Sequence, residues 1–337
     1  GAQGEPNKET IVSVKLSVII PCYNEVNTVA EVVRRVRAVG LCSTDVHIVQ
    51  GKVRFREPPF VLGHEISGEV AEVGPDVTRI KPGDRVTVDS VAGCGVCPLC
   101  GKGSAQFCPD GFEIGMTVDG GMQEYLFVPE RNLHPIPEGI SHEESAILDT
   151  EVLAALSKPG VEPGSTLAVI GPGPGGLVAV QLGRILGAGK VILIGTRPER
   201  LALGKKLGAD ITLDGASETL RDEVRGIAGG AGVDMVFEAA GTERSLRTAL
   251  DIVRPQGTVV LYGVHGSPVQ SADIDTIILK DLEVYGALSD RVGWEDMIGW
   301  VAGGRLNLRD IITHRFPIER TQEAYETIRD RRDGAIK

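Results

Sequence analysis

Four cysteines occur in the spacing Cys-x2-Cys-x2-Cys-x7-Cys between residues 94 and 108. They are Cys94, Cys97, Cys100 and Cys108. Thiolates two residues apart can reach one ion from a single tight turn, and four thiolates complete the tetrahedral shell of zinc. Such a shell leaves no position for water or substrate, so the spacing predicts a structural zinc site. A disulfide pair or an iron–sulfur cluster remains an alternative for the same residues.

A second set of metal-ligand residue types precedes this cysteine lobe. Cys42 lies in the stretch Gly-Leu-Cys-Ser-Thr-Asp-Val-His, and His64 and Glu65 follow in Gly-His-Glu. One cysteine, one histidine and one carboxylate leave a fourth zinc position open, as catalytic zinc requires. Core packing is the alternative role for a single cysteine or histidine. We expect these residues to form a catalytic zinc site, where the chemistry takes place.

A glycine-rich loop follows an apolar strand and opens a helix. It has the pattern Gly-x-Gly-x-x-Gly, whose glycines allow a tight turn and let the backbone approach a pyrophosphate. The helix N-terminus then presents free N–H groups to the anion. The loop therefore predicts a dinucleotide coenzyme held by Gly171, Gly173, Pro174, Gly175 and Gly176.

The end of the next strand indicates which coenzyme is bound. NAD-binding folds usually place an Asp or Glu there, where it bonds the ribose 2′-hydroxyl. In this chain the position is Gly195, followed by Thr196 and Arg197. The missing carboxylate removes repulsion toward a 2′-phosphate, and a guanidinium can pair with one. We predict NADP rather than NAD, with a solvent-facing Arg197 as the alternative.

The spacing of apolar residues indicates which elements carry these groups. Short β-type runs broken by Gly and Pro extend from about residue 61 to 135 and predict a small antiparallel barrel. A helical stretch spans about residues 141–156, with Ser141 and Glu144 in capping-box spacing. From residue 165 the rhythm becomes βαβ, which predicts a parallel, doubly wound sheet. An amphipathic helix near residues 319–332 ends the pattern.

Composition limits the classes of partner. The chain has 337 residues and a net charge of -11, with no basic cluster, which argues against nucleic acid and anionic membranes. No apolar run approaches the roughly 20 residues that span a bilayer, and the run at residues 16–20 is too short for a signal peptide. Four of the six cysteines lie in the lobe. Reduced thiols that hold metal predict a cytoplasmic protein.

Together these motifs resemble the medium-chain zinc-dependent alcohol dehydrogenases, over about residues 36–337. The resemblance implies an α/β protein with a GroES-like catalytic barrel at 1–150, a Rossmann coenzyme domain at 151–288, and a return to the catalytic domain at 289–337. It further implies two zinc ions per chain, an alcohol or carbonyl substrate, and a homo-oligomer, either dimer or tetramer.

The resemblance also assigns roles to single residues. In that family, the residues at the positions of Cys42 and His64 bind the catalytic zinc. The residue at the position of Glu65 lies near the zinc and can act as an exchangeable ligand. The third ligand comes from a helix after the barrel and corresponds to Asp149, with Glu151 as its rival. Thr44 would bond the substrate oxygen and pass its proton through the nicotinamide ribose to His47. Asp45 is expected to orient one of the zinc ligands through a hydrogen bond without binding the metal itself.

The N-terminus does not fit this family. Residues 15–38 resemble the opening strand, turn and helix of family 2 glycosyltransferases, which indicates a fusion. The required Asp-x-Asp has one counterpart, Asp273-Ile274-Asp275, which is better explained as a surface loop. Residues 31–40 can instead be a strand of the dehydrogenase, and residues 16–20 a strand that completes its barrel. Residues 335–337 resemble the start of the family's last strand, cut short.

The sequence thus predicts a zinc-dependent oxidoreductase that transfers a hydride between an alcohol and NAD(P). The substrate would be a secondary alcohol, a polyol or an amino alcohol. A folded protein that binds zinc and nucleotide but does not turn over is the alternative, and a glycosyltransferase is a remote one.

Overall fold

The computed structural model of the chain describes residues 31–148, 150–266, 268–288 and 293–337. Up to residue 148 these residues form an antiparallel barrel-like unit with a small lobe. Its strands are β1 (Glu31–Gly40), β2 (Glu65–Val73), β3 (Arg85–Val88), β4 (Val91–Ala92), β5 (Phe112–Glu113), β6 (Tyr125–Pro129) and β7 (Leu133–Pro135). Its helices are α1 (Ser43–Val49), α2 (Pro98–Gly101) and α3 (His142–Ala146).

Strand β1 lies inside the main antiparallel sheet, whose order is β6-β1-β2-β3-β7 among the described residues. It pairs with β2 on one side and with β6 on the other. The glycosyltransferase resemblance was wrong for residues 31–38, because it implies a helix where the chain forms this strand. The alternative, a strand of the dehydrogenase's own barrel, is confirmed. The possible strand at residues 16–20 lies outside the described residues.

A parallel sheet follows, with the order β10-β9-β8-β11-β12-β13 in the described chain. Its strands are β8 (Thr166–Ile170), β9 (Lys190–Gly195), β10 (Ile211–Asp214), β11 (Val233–Glu238), β12 (Val253–Leu261) and β13 (Glu283–Gly286). The helices around it are α4 (Thr150–Ser157), α5 (Pro174–Ile185), α6 (Pro198–Lys206), α7 (Leu220–Ile227), α8 (Glu243–Ile252) and α9 (Ile274–Leu279). The prediction of a doubly wound parallel sheet is confirmed.

Apolar side chains on both faces of this sheet explain why its strands are continuous hydrophobic runs. Alternate residues of β9 point to opposite faces, so Val191 and Leu193 join one buried cluster while Ile192 and Ile194 join the other. A third cluster, around Ile66, fills the antiparallel unit. The two larger sheets of the described chain therefore have separate cores.

The last part of the chain contains α10 (Trp294–Ala302) and α11 (Thr321–Asp330). After α11 the chain returns to the antiparallel unit. The backbone N–H groups of Thr313 and His314 donate to the Lys337 carbonyl at 3.0 and 3.1 Å. Arg309 forms an ion pair with Glu144, whose capping-box bond to Ser141 is present as predicted. This return brings Lys337 beside Glu65 at the start of β2.

Candidate metal centre and coenzyme site

The start of helix α1 carries the predicted catalytic groups. Cys42 is its N-cap, and Thr44 and His47 lie one turn apart on it. The Cys42 backbone N–H donates to Oδ2 of Asp45 at 2.8 Å, which fixes the thiol at the helix end. The Thr44 hydroxyl lies 3.8 Å from the Cys42 sulfur. Local sequence alone therefore places a thiol, a hydroxyl and an imidazole along one short helix.

The β2 end of the site adds an imidazole and a carboxylate. The Cys42 sulfur, a ring nitrogen of His64 and a carboxylate oxygen of Glu65 all lie within 4.8 Å of one another. Oε2 of Glu65 is buried and has no hydrogen-bond partner. A thiolate, an imidazole and a carboxylate oxygen at this separation are donors that zinc takes. The three residues fit a zinc ion.

Asp45 lies directly behind His64. Its Oδ1 is 3.5 Å from Nδ1 of His64, and its side chain is 1% exposed. An acid that holds one ring nitrogen leaves the other nitrogen for a metal. Burial disfavours the charged imidazole, but the charges of Asp45 and Cys42 outweigh it and raise the pKa of His64 well above 6.5. His64 must lose this proton before it can bind a metal.

The structure does not choose between the two residues predicted as the third protein ligand of the Cys42 site. Asp149 lies outside the described residues, and its rival Glu151 lies on α4. Among the described residues, the cluster around Cys42 has three members and Glu151 is not one of them.

Lys337 forms an ion pair with Glu65 that sequence reasoning missed. Its Nζ contacts Oε1 of Glu65, and the lysine side chain is only 6% exposed. The other oxygen of Glu65, Oε2, is buried without a hydrogen-bond partner. The chain offered one signal, the position of Lys337 in a stretch that resembles the family's last strand.

The cysteine lobe brings its four thiols together. The sulfurs of Cys94, Cys97, Cys100 and Cys108 lie within 4.8 Å of one another, and those of Cys97 and Cys108 are 3.8 Å apart. A zinc–sulfur distance of about 2.3 Å gives a tetrahedron with an edge of about 3.8 Å. A disulfide needs sulfurs about 2 Å apart, so this geometry favours a metal over a disulfide.

Backbone amides of the lobe point at the sulfurs. N–H groups of Cys94, Cys97 and Cys100 donate to sulfur atoms at 3.3 to 3.4 Å. The amides of Val96 and Cys97 lower the pKa of the Cys94 thiol to about 7. The Cys94 thiolate held in this way is a ready metal ligand. The lobe fits a structural zinc ion.

The glycine loop between β8 and α5 leaves room for a coenzyme. Gly171 has a φ of +105°, which favours glycine. A Cβ at Gly176 would lie 1.9 Å from the Gly171 carbonyl oxygen, so no side chain fits there. A Cβ at Gly173, the N-cap of α5, would meet nothing within 4 Å. This open space above a helix N-terminus fits a pyrophosphate.

The end of β9 cannot take a side chain. A Cβ at Gly195 would lie 2.5 Å from Cδ and Cγ of Pro172 in the glycine loop. Thr196 follows, and Arg197 is the half-buried N-cap of α6. The loop and the strand end are therefore matched to each other, with glycine at the position that an acid occupies in NAD-binding folds.

Comparison with known proteins agrees with the fold and the two sites. Residues 29–138 match the alcohol dehydrogenase GroES-like domain, and residues 174–303 match the zinc-binding dehydrogenase domain. The chain is 34% identical to a D-arabitol-phosphate dehydrogenase of Enterococcus avium, over 88% of this chain and 86% of the relative. It belongs to the zinc-dependent alcohol dehydrogenase family.

Two further similarities support the membership. A sorbitol dehydrogenase of Bacillus subtilis is 33% identical over 88% of this chain and 86% of its own length. A zinc-binding dehydrogenase from Sinorhizobium meliloti, solved with NADP, superposes with a TM-score of 0.81 at 31% identity, covering 88% of this chain and 87% of the other. The predicted activity, hydride transfer between an alcohol and NAD(P), is confirmed as that of the alcohol dehydrogenase family.

The family match also bears on the N-terminus and on membranes. The alcohol dehydrogenase domain begins at residue 29, inside the segment that resembles a glycosyltransferase. Strand β1 is therefore a native part of the alcohol dehydrogenase barrel. Among the described residues, no helix is both long and apolar enough to cross a bilayer.

Proposed function

We propose that this alcohol dehydrogenase oxidises a secondary alcohol, polyol or amino alcohol with NADP, at the cluster formed by Cys42, His64 and Glu65. The observation that carries the proposal is the convergence of these donors at the end of α1, with Asp45 behind His64. A helix that starts at a metal ligand also presents Thr44 and His47 to whatever binds there.

We infer that the chain takes two zinc ions. Cys42, His64 and Glu65 would hold one, and the cysteine lobe the other. Zinc held there would supply a Lewis acid toward a substrate oxygen. Asp149 is our proposal for the further protein ligand, with Glu151 as the alternative. The four thiols of the lobe complete a shell of their own, so that site stabilises the fold.

Proton transfer falls to two residues of α1. The Thr44 hydroxyl can accept the substrate's proton and donate its own, because a hydroxyl does both. Burial, reinforced by the charge of Lys52, lowers the pKa of His47 below 6.5. His47 is therefore neutral near pH 7 and can receive the proton that leaves the cleft.

The choice of NADP rests on the end of β9. Gly195 offers no carboxylate to the ribose, and Arg197 stands two residues further on with a guanidinium. A 2′-phosphate there meets a positive partner and no acid at the position of Gly195.

The names of the relatives suggest substrates with several hydroxyl groups. D-arabitol phosphate and sorbitol are polyol substrates named for proteins 34% and 33% identical to this chain. We propose a polyol as the first compound to test, with simple secondary alcohols and amino alcohols as the comparison set.

A homo-oligomer and a cytoplasmic location complete the proposal. Strand β13 is an edge of the parallel sheet, and apolar side chains lie exposed beside it, including Ile278 at 70%, Leu279 at 84% and Leu288 at 57%. An edge strand with exposed apolar side chains beside it favours pairing with a second copy. The cysteine sites require a reducing compartment.

Two measurements test the proposal: the number of zinc ions bound per chain, and NADP reduction assayed with a panel of alcohols. We expect two zinc ions in the wild type, one in Cys42→Ala, and NADP reduction with at least one alcohol that Cys42→Ala abolishes. Two zincs and coenzyme binding without turnover on any alcohol would favour the non-catalytic alternative. A single zinc that Cys42→Ala leaves unchanged would contradict the metal centre at Cys42.

A further inference from the structure

A groove of about 470 Å³ lies along one side of strand β1 in the antiparallel unit. It is lined by β1 and the residue after it at 36–41, by the run 121–124, and by the run 312–318 that precedes most of α11. Helix α11 also lines it, through residues spaced three or four apart, which share one face of the helix. They are Thr321, Ala324, Thr327 and Ile328. The groove is therefore bounded by a strand and by one helix face.

The groove opens because two neighbouring runs of chain separate beyond Val36. Strand β6 pairs with the first half of β1, and the Val36 N–H still donates to the Glu124 carbonyl at 2.8 Å. The N–H groups of residues 121–122 donate instead to carbonyls of residues 62–63, at 2.8 and 2.9 Å. Residues 38–40 pair with β2 on one side, and no strand of the described chain pairs with their other side. The second half of β1 thus has a free edge that faces the groove.

This free edge and the side chains around it suit an extended apolar segment. A strand edge presents a row of N–H and C=O groups with which a further strand can pair. Many side chains along the groove are apolar, and examples are Met122, Ile312, Phe316 and Ile328. Main-chain groups along one side and apolar side chains around them are what an added β-strand binds.

The charged side chains of the lining do not favour an anion. The three arginine and lysine side chains that line the groove each have a carboxylate partner within ion-pair distance. These pairs are Arg37–Glu69, Arg315–Glu143 and Lys337–Glu65. Positive charge in the groove is therefore already balanced, which favours an apolar occupant.

The chain contains a segment with this character ahead of β1. Residues 12–20 have the sequence Val-Ser-Val-Lys-Leu-Ser-Val-Ile-Ile, with an apolar residue at every even position and a polar one at 13, 15 and 17. Such alternation is the pattern of a strand with one buried face. Pro21 follows, and it lacks the N–H group that a longer strand would need. Residues 12–20 lie outside the described residues.

The length of the connecting chain favours one orientation. The ten residues 21–30 link the segment to Glu31, where β1 begins, and span at most about 35 Å. In an antiparallel arrangement Ile20 would lie near Val36, about 17 Å along β1 from Glu31. In a parallel one it would lie near Leu41, about 33 Å away and at the limit of the link. The antiparallel arrangement is therefore favoured.

We propose that residues 12–20 of this chain dock in the groove as a further antiparallel strand beside β1. The apolar side chains at the even positions then pack toward α11 and the run 312–318, and the polar ones at 13, 15 and 17 face solvent. The groove lining includes Lys337, whose Nζ contacts Glu65 of the candidate metal site. The docked segment therefore also stabilises the chain after α11 beside that site. This docking does not depend on the reaction that the protein catalyses.

Photo-crosslinking on the full chain locates the segment. The photoreactive amino acid p-benzoylphenylalanine replaces Leu16 in one variant and Ser17 in the matched control, and mass spectrometry identifies the residues that it attaches to. We expect the probe at position 16 to attach within residues 36–41, 312–318 or 321–328. The probe at position 17 lies on the opposite face and should give these products at least about fivefold less.

Hydrogen exchange measures whether the segment covers the strand edge. Leu16→Asp/Val18→Asp places two charges on the apolar face, and Ser13→Asp/Ser17→Asp adds the same charge to the polar face as a matched control. We expect the first variant to speed exchange of the backbone amides at 37–41 by about tenfold or more. The control should exchange like the wild type. Leu16→Ser/Val18→Ser makes the same test if the first variant does not fold.

Other results would overturn this docking. Attachment of the probe at position 16 to a second chain, with exchange that depends on protein concentration, would assign the groove to a second copy. Attachment elsewhere on the same chain would place the segment outside the groove. Equal exchange at 37–41 in the wild type and in every variant would mean that the segment does not cover the edge of β1.

Discussion

Lys337 and Glu65 are 272 positions apart in the chain, yet the lysine Nζ contacts a carboxylate oxygen of the candidate metal site. Both side chains are largely shielded from water, at 6% and 22% exposed. The pair ties the chain after α11 to the start of β2 and holds one oxygen of Glu65, while the other oxygen is buried without a hydrogen-bond partner.

Lys337→Met should destabilise the protein by leaving the Glu65 carboxylate without its partner. We expect a loss of about 1–3 kcal/mol in the free energy of unfolding, measured by urea denaturation. Adding Glu65→Gln should recover much of it. Arg37→Met breaks the exposed pair of Arg37 and Glu69 and should cost less than about 1 kcal/mol. Equal losses in the two single variants would contradict a special role for Lys337.

The acid limb of the pH profile should report His47. Its lowered pKa means that the neutral form, which accepts a proton, persists to below pH 6.5. Activity should therefore be full above this pKa and fall as the pH drops through it. His47→Gln should reduce kcat about 100-fold and remove that limb. His314→Gln, a half-buried control outside α1, should keep it. An unchanged limb in His47→Gln would assign the titration to another group.

Converting the coenzyme preference should need two changes. Gly195→Asp alone brings a side chain against the ring of Pro172, so we expect a loss of about 1–3 kcal/mol in stability and weaker binding of both coenzymes. Adding Pro172→Ala removes the ring and should restore stability, with NADH now preferred. Thermal unfolding and coenzyme titration check both steps. A stable, NADH-preferring single variant would show that the contact is unimportant.

Asp45 should control metal affinity through His64. Asp45→Asn removes the charge behind the imidazole, so we expect zinc affinity at the Cys42 site to fall about 10- to 100-fold. Competition with a chelator measures this. The zinc in the cysteine lobe is the internal control and should be retained equally by both proteins. Equal release from both sites would point to a general loss of structure.

Short-range sequence determined the groups whose members are close neighbours in the chain. The spacing of Cys94 to Cys108 forms one turn-rich lobe, and the start of α1 places Cys42, Thr44 and His47 together because a helix fixes its own geometry. The glycine loop likewise needs only its strand and helix. Local signals failed at residues 31–38, where a β-type run and a helix-type run look alike. Pairing with β2 and β6 decided that it is a strand.

Tertiary structure alone decided the contacts that join distant segments. Nothing near Lys337 in the chain indicates Glu65, and nothing near Arg200 indicates the Ala335 carbonyl, because each pair meets only once the chain after α11 folds back. From sequence alone, a charged side chain is expected to be exposed to solvent. Only the fold shows that it is buried beside a particular partner. The sequence determined which residue types could do this protein's chemistry, and the packing of its two larger sheets with the chain after α11 decided which of them act together.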